Sequence, residues 1–181
     1  AGHDVTLISP LPNRPNGARY PGFPLRLWTV RSFDQARIIR VWSWLIGKRR
    51  RALARILENI TFGVNSAAAL LFIRRPDVVV LESWPVLATA AAVIACAARG
   101  VKVIHYVKDI YPEAAVAAGI LHDTAAATLL LRIDRWVCRR ADRNVVISNG
   151  AAAMLARSRD VPAAKLRVIS DWLDLSTIAP T

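Results

Sequence analysis

One feature constrains the fold most: short, almost wholly apolar runs rich in valine and isoleucine recur, each followed by a segment of helical length. PDVVVLES at 76–83 is the clearest. A continuous run of that kind fits a strand buried on both faces of a parallel sheet. An Ala-rich helical stretch follows at 86–99, closed by Arg99 and Gly100, and VKVIHYV at 101–107 is the next strand. RNVVISNG at 143–150 and LRVIS at 166–170 read as further strands, with helices around 113–119, 122–141 and 150–158. Strands alternating with helices predict an α/β, Rossmann-like three-layer domain with a parallel sheet.

The start of the chain fits the same pattern less completely. HDVTLIS at 3–9 reads as a strand, and Gly2 directly before it resembles the C-cap of a preceding helix. Met154 is the sole methionine, and the sequence opens Ala-Gly-His. The expectation is a domain truncated at its start, its first strand and helix missing. Residues 10–24 hold five of the ten prolines and form a long loop, of the kind that is usually functional in a compact domain. LRLWTV at 25–30 returns to strand character. Residues 35–60 carry Ile38, Trp42, Leu45, Leu53, Ile56 and Ile60 at helical spacing and predict a helix. The apolar stretches at 61–75 and 86–98 are too short to span a bilayer.

Composition narrows the function classes. With 181 residues, 54% apolar and 21% charged, the chain is no disordered tail. Two cysteines exclude a disulfide scaffold and every Cys-rich zinc site. His3, His105 and His122 form no HxH, HxxxH or HExxH spacing, so no metal is expected. The net charge is +12, and residues 1–100 carry 14 basic against 5 acidic residues. Most of that excess lies between Arg31 and Arg55. There Arg37, Arg40, Lys48, Arg51 and Arg55 fall at helical spacing, with Trp44 on the same stripe. Such a stripe suits either an anionic membrane surface or a solvated outer helix. Nucleic acid is not expected, because no binding motif accompanies the cluster.

In open α/β sheets, ligands bind outside the carboxyl ends of the strands. That rule selects Asn13, Asn16, Tyr20, Glu82, Ser83, Lys108, Asp109, Glu113, Ser148, Asn149 and Asp171 as candidates, with His105 late in its strand. Asp109 precedes Pro112, so it either caps a helix beginning there or faces the cleft and bonds a hydroxyl-rich substrate. His105 points either into the cleft or into the sheet packing. Neither GxGxxG nor a Walker A motif is present, though a glycine-rich turn would sit in the missing first strand and turn.

Six strings in order carry a family resemblance: GHDVTLIS, PLPNRPNGARYPGFP, PDVVVLESWP, VKDIYPEAA, RADRNVVISNG and VISDWLDLSTIAP. Together they resemble the N-terminal half of family 4 glycosyltransferases of the exopolysaccharide and colanic-acid type, over essentially the whole chain. The resemblance implies the N-terminal half of a GT-B fold, in which two Rossmann-like domains face each other across a cleft. Residues 1–170 would be the acceptor-side domain and 171–181 the start of the interdomain linker, with the donor-binding domain absent. The implied reaction moves a sugar from a nucleotide-sugar donor to a glycan or lipid-linked acceptor, with retention of configuration, no cofactor and no metal. Asp109 and Pro112 match the family's Asp-x-x-Pro loop, implying that Asp109 orients the acceptor. Asn13 and Gly17 match its Pro-Asn-x-Pro-x-Gly loop, and Ser148 a serine ending a cleft-facing strand. Asp171-Trp172 stands where relatives often have Asn-Trp. No donor-binding residue can be named within these 181 residues. The implied location is cytoplasmic, at the inner face of the plasma membrane. The competing expectations are a non-catalytic membrane-binding module and a fragment of a Rossmann-class oxidoreductase.

Overall fold

The structure is a computed structural model and describes residues 2–13, 20–34, 36–44, 52–111, 113 and 125–171, without the side chains of 52–55. Its strands are β1 (Val5–Pro10), β2 (Trp28–Phe33), β3 (Ala36–Val41), β4 (Val78–Glu82), β5 (Lys102–Val107), β6 (Arg143–Val146) and β7 (Leu166–Val168). Its helices are α1 (Ala52–Phe72), α2 (Val86–Ala98), α3 (Ala125–Arg140) and α4 (Asn149–Arg159).

Four parallel strands in the order β4-β5-β6-β7 form one sheet. A smaller sheet has the order β1-β3-β2, with β1 parallel and β2 antiparallel to β3. The α/β class with a parallel, Rossmann-like sheet is therefore as the sequence predicts. Each step from β4 to β7 moves to the adjacent strand in the same direction. Right-handed crossovers then place α2, α3 and α4 on one face.

That one-sidedness corrects the expectation for 76–83. The strand is covered on one face only: Val79 and Leu81 pack on the core, whereas Val78 and Val80 are exposed. Val5 and Leu7 of β1 are likewise exposed, while Ile8 packs on the same core cluster as Val79 and Leu81. Valine-rich composition marks a strand but cannot count the layers that cover it.

The segment 35–60 is also corrected. Residues 36–41 form β3, not a helix, so Arg37 and Arg40 lie on a strand. Val30, Ile38, Ile39 and Val41 suit a pleated surface, and β3 is paired on both sides, by β1 and β2. Asp34, at φ 53°, makes the tight connection that sets Phe33 opposite Ala36. The preceding strand accordingly starts at Trp28 rather than 25. The helix begins at Ala52 and takes in most of the stretch 61–75 that sequence left unassigned, ending at Phe72.

Helices α1 and α2 approach closely. A Cβ placed on Gly63 would lie 2.8 Å from the Cα of Ala88, which accounts for the small residues along α2. Arg99, just past α2, donates to the carbonyls of Leu70 and Ile73 and so satisfies the end of α1. A second core cluster joins Val107, Cys138, Val146, Leu155 and Val161, with Ile110 packed against it. Among the described residues no helix is long and apolar enough to cross a membrane.

Candidate functional site

On the sheet face that the helices leave open, β4, β5, β6 and the residues just after β7 line an open depression of about 430 Å³, which runs up to the carboxyl ends of the strands. Its floor is apolar, from Val80, Ile104, Val145 and Ile169, and its polar rim carries Tyr106, Lys108 and Asp171. The rim residues are linked. Lys108 Nζ lies 3.6 Å from Glu82 Oε1 and 5.1 Å from the centre of the Tyr106 ring. The Tyr106 hydroxyl donates to Asp171 Oδ1 at 2.7 Å. That hydrogen bond, with smaller contributions from burial and the charges of Asp171 and Glu82, raises the phenol above its ordinary range. A carboxylate paired with an ammonium, beside a second carboxylate bonded to the phenol, forms a set able to accept from sugar hydroxyls and to donate to an anionic oxygen.

Asp109 is exposed on the loop after β5. That loop is tethered to its neighbours at several points. Ser83 Oγ donates to the Asp109 carbonyl at 3.4 Å, and the rings of Trp84 and Tyr111 lie 4.3 Å apart. Arg159 reaches the loop from the end of α4: it bonds both oxygens of Glu113, at 2.6 and 2.7 Å, and the Tyr111 carbonyl at 2.9 Å. The same guanidinium holds Asp134 of α3 at 2.5 Å. Burial pushes the Glu113 carboxyl up, but its hydrogen bonds with Arg159 outweigh that and hold it below the ordinary range. For Asp134, deeper in the core, burial wins and its carboxyl is raised.

The sequence candidates therefore separate. Glu82, Lys108 and Asp109 come together at the carboxyl edge of the sheet. Glu113 is adjacent but engaged with Arg159. Ser148 is the N-cap of α4, its hydroxyl accepting from Ala151 N at 3.1 Å, and Asn149 opens that helix. Asn13 lies beyond β1 on the smaller sheet, donating to Glu58 of α1 at 2.8 Å. The placement of His105 at the site is corrected: its side chain has no exposed surface. It sits 3.1 Å from Asn144 Oδ1 and 3.6 Å from Cys138 Sγ, because its position in β5 points it to the helical layer. Arg40 bonds Ser9 Oγ at 2.7 Å and the Pro10 carbonyl at 3.3 Å, closing the end of β1 rather than extending a helical stripe. Arg37 and Trp44 are exposed. Asn16, Gly17, Lys48, Arg51 and the helix expected at 113–119, apart from Glu113, lie outside the described residues, as does the Arg55 side chain. Among the described residues no group of three His, Cys, Asp or Glu side chains could hold a metal.

Sequence reasoning missed Tyr106, Asp134 and Arg159. Tyr106 lies inside an apolar run and carries no motif. Asp134 and Arg159 are 25 residues apart, and only the packing of α3 on α4 joins them.

Residues 1–177 match the family described as Glycosyltransferase Family 4. The chain belongs to glycosyltransferase family 4. It is also 33% identical, over 123 residues, to the probable glycosyltransferase WbjE of Pseudomonas aeruginosa. That similarity covers 67% of this chain and 30% of the relative, so the chain spans about a third of the length of the curated relative it matches.

Proposed function

We propose that residues 1–170 are the acceptor-side domain of a retaining glycosyltransferase that moves a sugar from a nucleotide-sugar to a glycan or lipid-linked acceptor in cell-surface polysaccharide synthesis. Residues 171–181 lead toward a donor-binding domain elsewhere in the polypeptide. The observation that carries this reading is the group Glu82, Lys108, Tyr106 and Asp171, joined at the carboxyl edge of a Rossmann-like sheet in a family 4 chain.

On this reading Glu82, Asp109 and Asp171 accept hydrogen bonds from acceptor hydroxyls, and Lys108 meets an anionic oxygen. The apolar floor carries the sugar's ring face. The site works by holding one hydroxyl in line with the donor's anomeric carbon, which is a gain in orientation rather than in acid–base power. The hydroxyl attacks, the nucleoside diphosphate leaves, and the proton passes to a leaving phosphate oxygen. No side chain of this domain is needed as the base.

The test is sugar transfer by the full-length enzyme. Asp109→Ala should reduce kcat/KM about tenfold to a hundredfold, with circular dichroism unchanged, while the 181-residue chain alone transfers nothing. Parental kinetics in Asp109→Ala remove this loop from the acceptor site. Transfer by the short chain removes the division into two domains. Retention is read from the anomeric configuration of the product by NMR.

A further inference from the structure

We propose that Arg159 is the positioning residue of the Asp109 loop: from inside the core it clamps the Tyr111–Glu113 end of the loop and thereby fixes where Asp109 stands. The inference rests on the acceptor-site reading of that loop.

Arg159 has no exposed surface, so it cannot touch a substrate itself. Its planar guanidinium bonds Asp134 on one edge, both Glu113 oxygens on another, and the Tyr111 carbonyl. A guanidinium can serve three acceptors at fixed angles, whereas an ammonium is a point charge without that fork. The arrangement has a buried end and an open end. The Asp134 side chain is 8% exposed and that of Glu113 42%. Removing Asp134 would take away the buried partner of a buried cation and put the fold at risk. Removing the Glu113 charge leaves Arg159 neutralised by Asp134 and releases only the loop. Structure and positioning can therefore be separated by choice of residue.

Two further contacts show that the clamp acts on the part of the loop that matters. Ile110 is packed against the second core cluster, and the Asp109 carbonyl accepts from Ser83. Asp109 is thus exposed between two fixed points, the end of β5 and the Arg159 clamp. Releasing one of them lets its carboxylate move while the sheet stays in place.

The experiment compares Glu113→Gln, Arg159→Lys and Asp109→Ala in the full-length enzyme. Amide exchange is followed in the peptide spanning 106–113. Transfer is assayed into a membrane-lipid extract, with UDP-glucose, UDP-galactose and GDP-mannose as donor probes. Glu113→Gln should speed exchange at 108–113 by about tenfold or more while β5 and β6 amides hold their protection. The KM for acceptor should rise severalfold more than kcat falls, and Arg159→Lys should reproduce that split although its side chain is out of reach of any substrate. Unchanged exchange in Glu113→Gln overturns the clamp. Impaired transfer in Asp109→Ala, alongside parental KM and kcat in both clamp variants, overturns the positioning role. If Asp109→Ala is itself silent, the acceptor-site reading falls and takes the positioning role with it.

Discussion

His105, Asn144 and Cys138 show how residue types that suit catalysis can instead build a core. Asn144 Nδ2 donates to the Cys138 carbonyl at 2.9 Å, and its oxygen faces His105 Nδ1. Burial pushes the thiol of Cys138 well up and lowers the imidazole from an ordinary 6.5 to about 4, so both groups are neutral at pH 7. A neutral imidazole and a protonated thiol in the core hold the sheet to α3 and cannot serve as base and nucleophile. The pH dependence follows from the same shift. As pH falls from about 6.5, the unfolded chain takes up the histidine proton before the folded one does. The contribution of His105 is therefore full above pH 6.5 and lost as pH falls toward 4, on the order of 3 kcal/mol. Urea midpoints at pH 7 and 4.5 should differ more in the parent than in His105→Gln. Equal differences would show that His105 is not held neutral. The sequence placed His105 late in a strand but left its face open, because alternation along β5 fixes two faces without naming which one the helices cover.

At the scale of elements, the α1–α2 pair depends on an absence of side chain. Gly63 normally weakens a helix by about 1 kcal/mol relative to alanine. Here its missing Cβ lets the Ala88 backbone approach, and Arg99 completes the end of α1 from beyond α2. Gly63→Ala should therefore destabilise by about 1–3 kcal/mol through overpacking, despite the better helix former. Val64→Ala, one residue on and exposed, should change stability by less than about 0.5 kcal/mol. Thermal unfolding of the two variants checks this, and a stabilised Gly63→Ala would disprove the close crossing. The Ala-rich sequence of α2 announced a helix. That its Ala88 serves a helix–helix contact depends on α1, whose Gly63 lies opposite it.

At the scale of the molecule, α1 leaves Ile56, Ile60 and Val64 exposed, one turn apart along a single stripe. Lys48, Arg49, Arg50 and Arg51 precede that helix in sequence, and Arg55 lies within it. From the apolar ridge and the basic residues together we propose that the enzyme works against an anionic membrane surface. The full-length enzyme should bind phosphatidylglycerol vesicles but not phosphatidylcholine vesicles, release with rising salt, and bind more weakly as Val64→Glu. Binding that ignores lipid charge and salt would reject the proposal. On that proposal the membrane-facing element is α1. Arg37 and Arg40, which the sequence grouped with it by spacing, belong to β3.

The sequence by itself determined the α/β class, most strand positions in the second half, and the edge of the sheet where Glu82, Lys108 and Asp109 gather. Those follow from local rules: β-branched runs make strands, parallel strands need crossovers, and the loops after parallel strands share one edge. The tertiary structure alone decided which strand faces are covered, that 36–41 pairs as a strand, that His105 turns inward, and that Arg159 holds Glu113. Each of these depends on what lies opposite a residue across a sheet or between helices. Periodicity records which residues share a face, and only packing decides what that face meets.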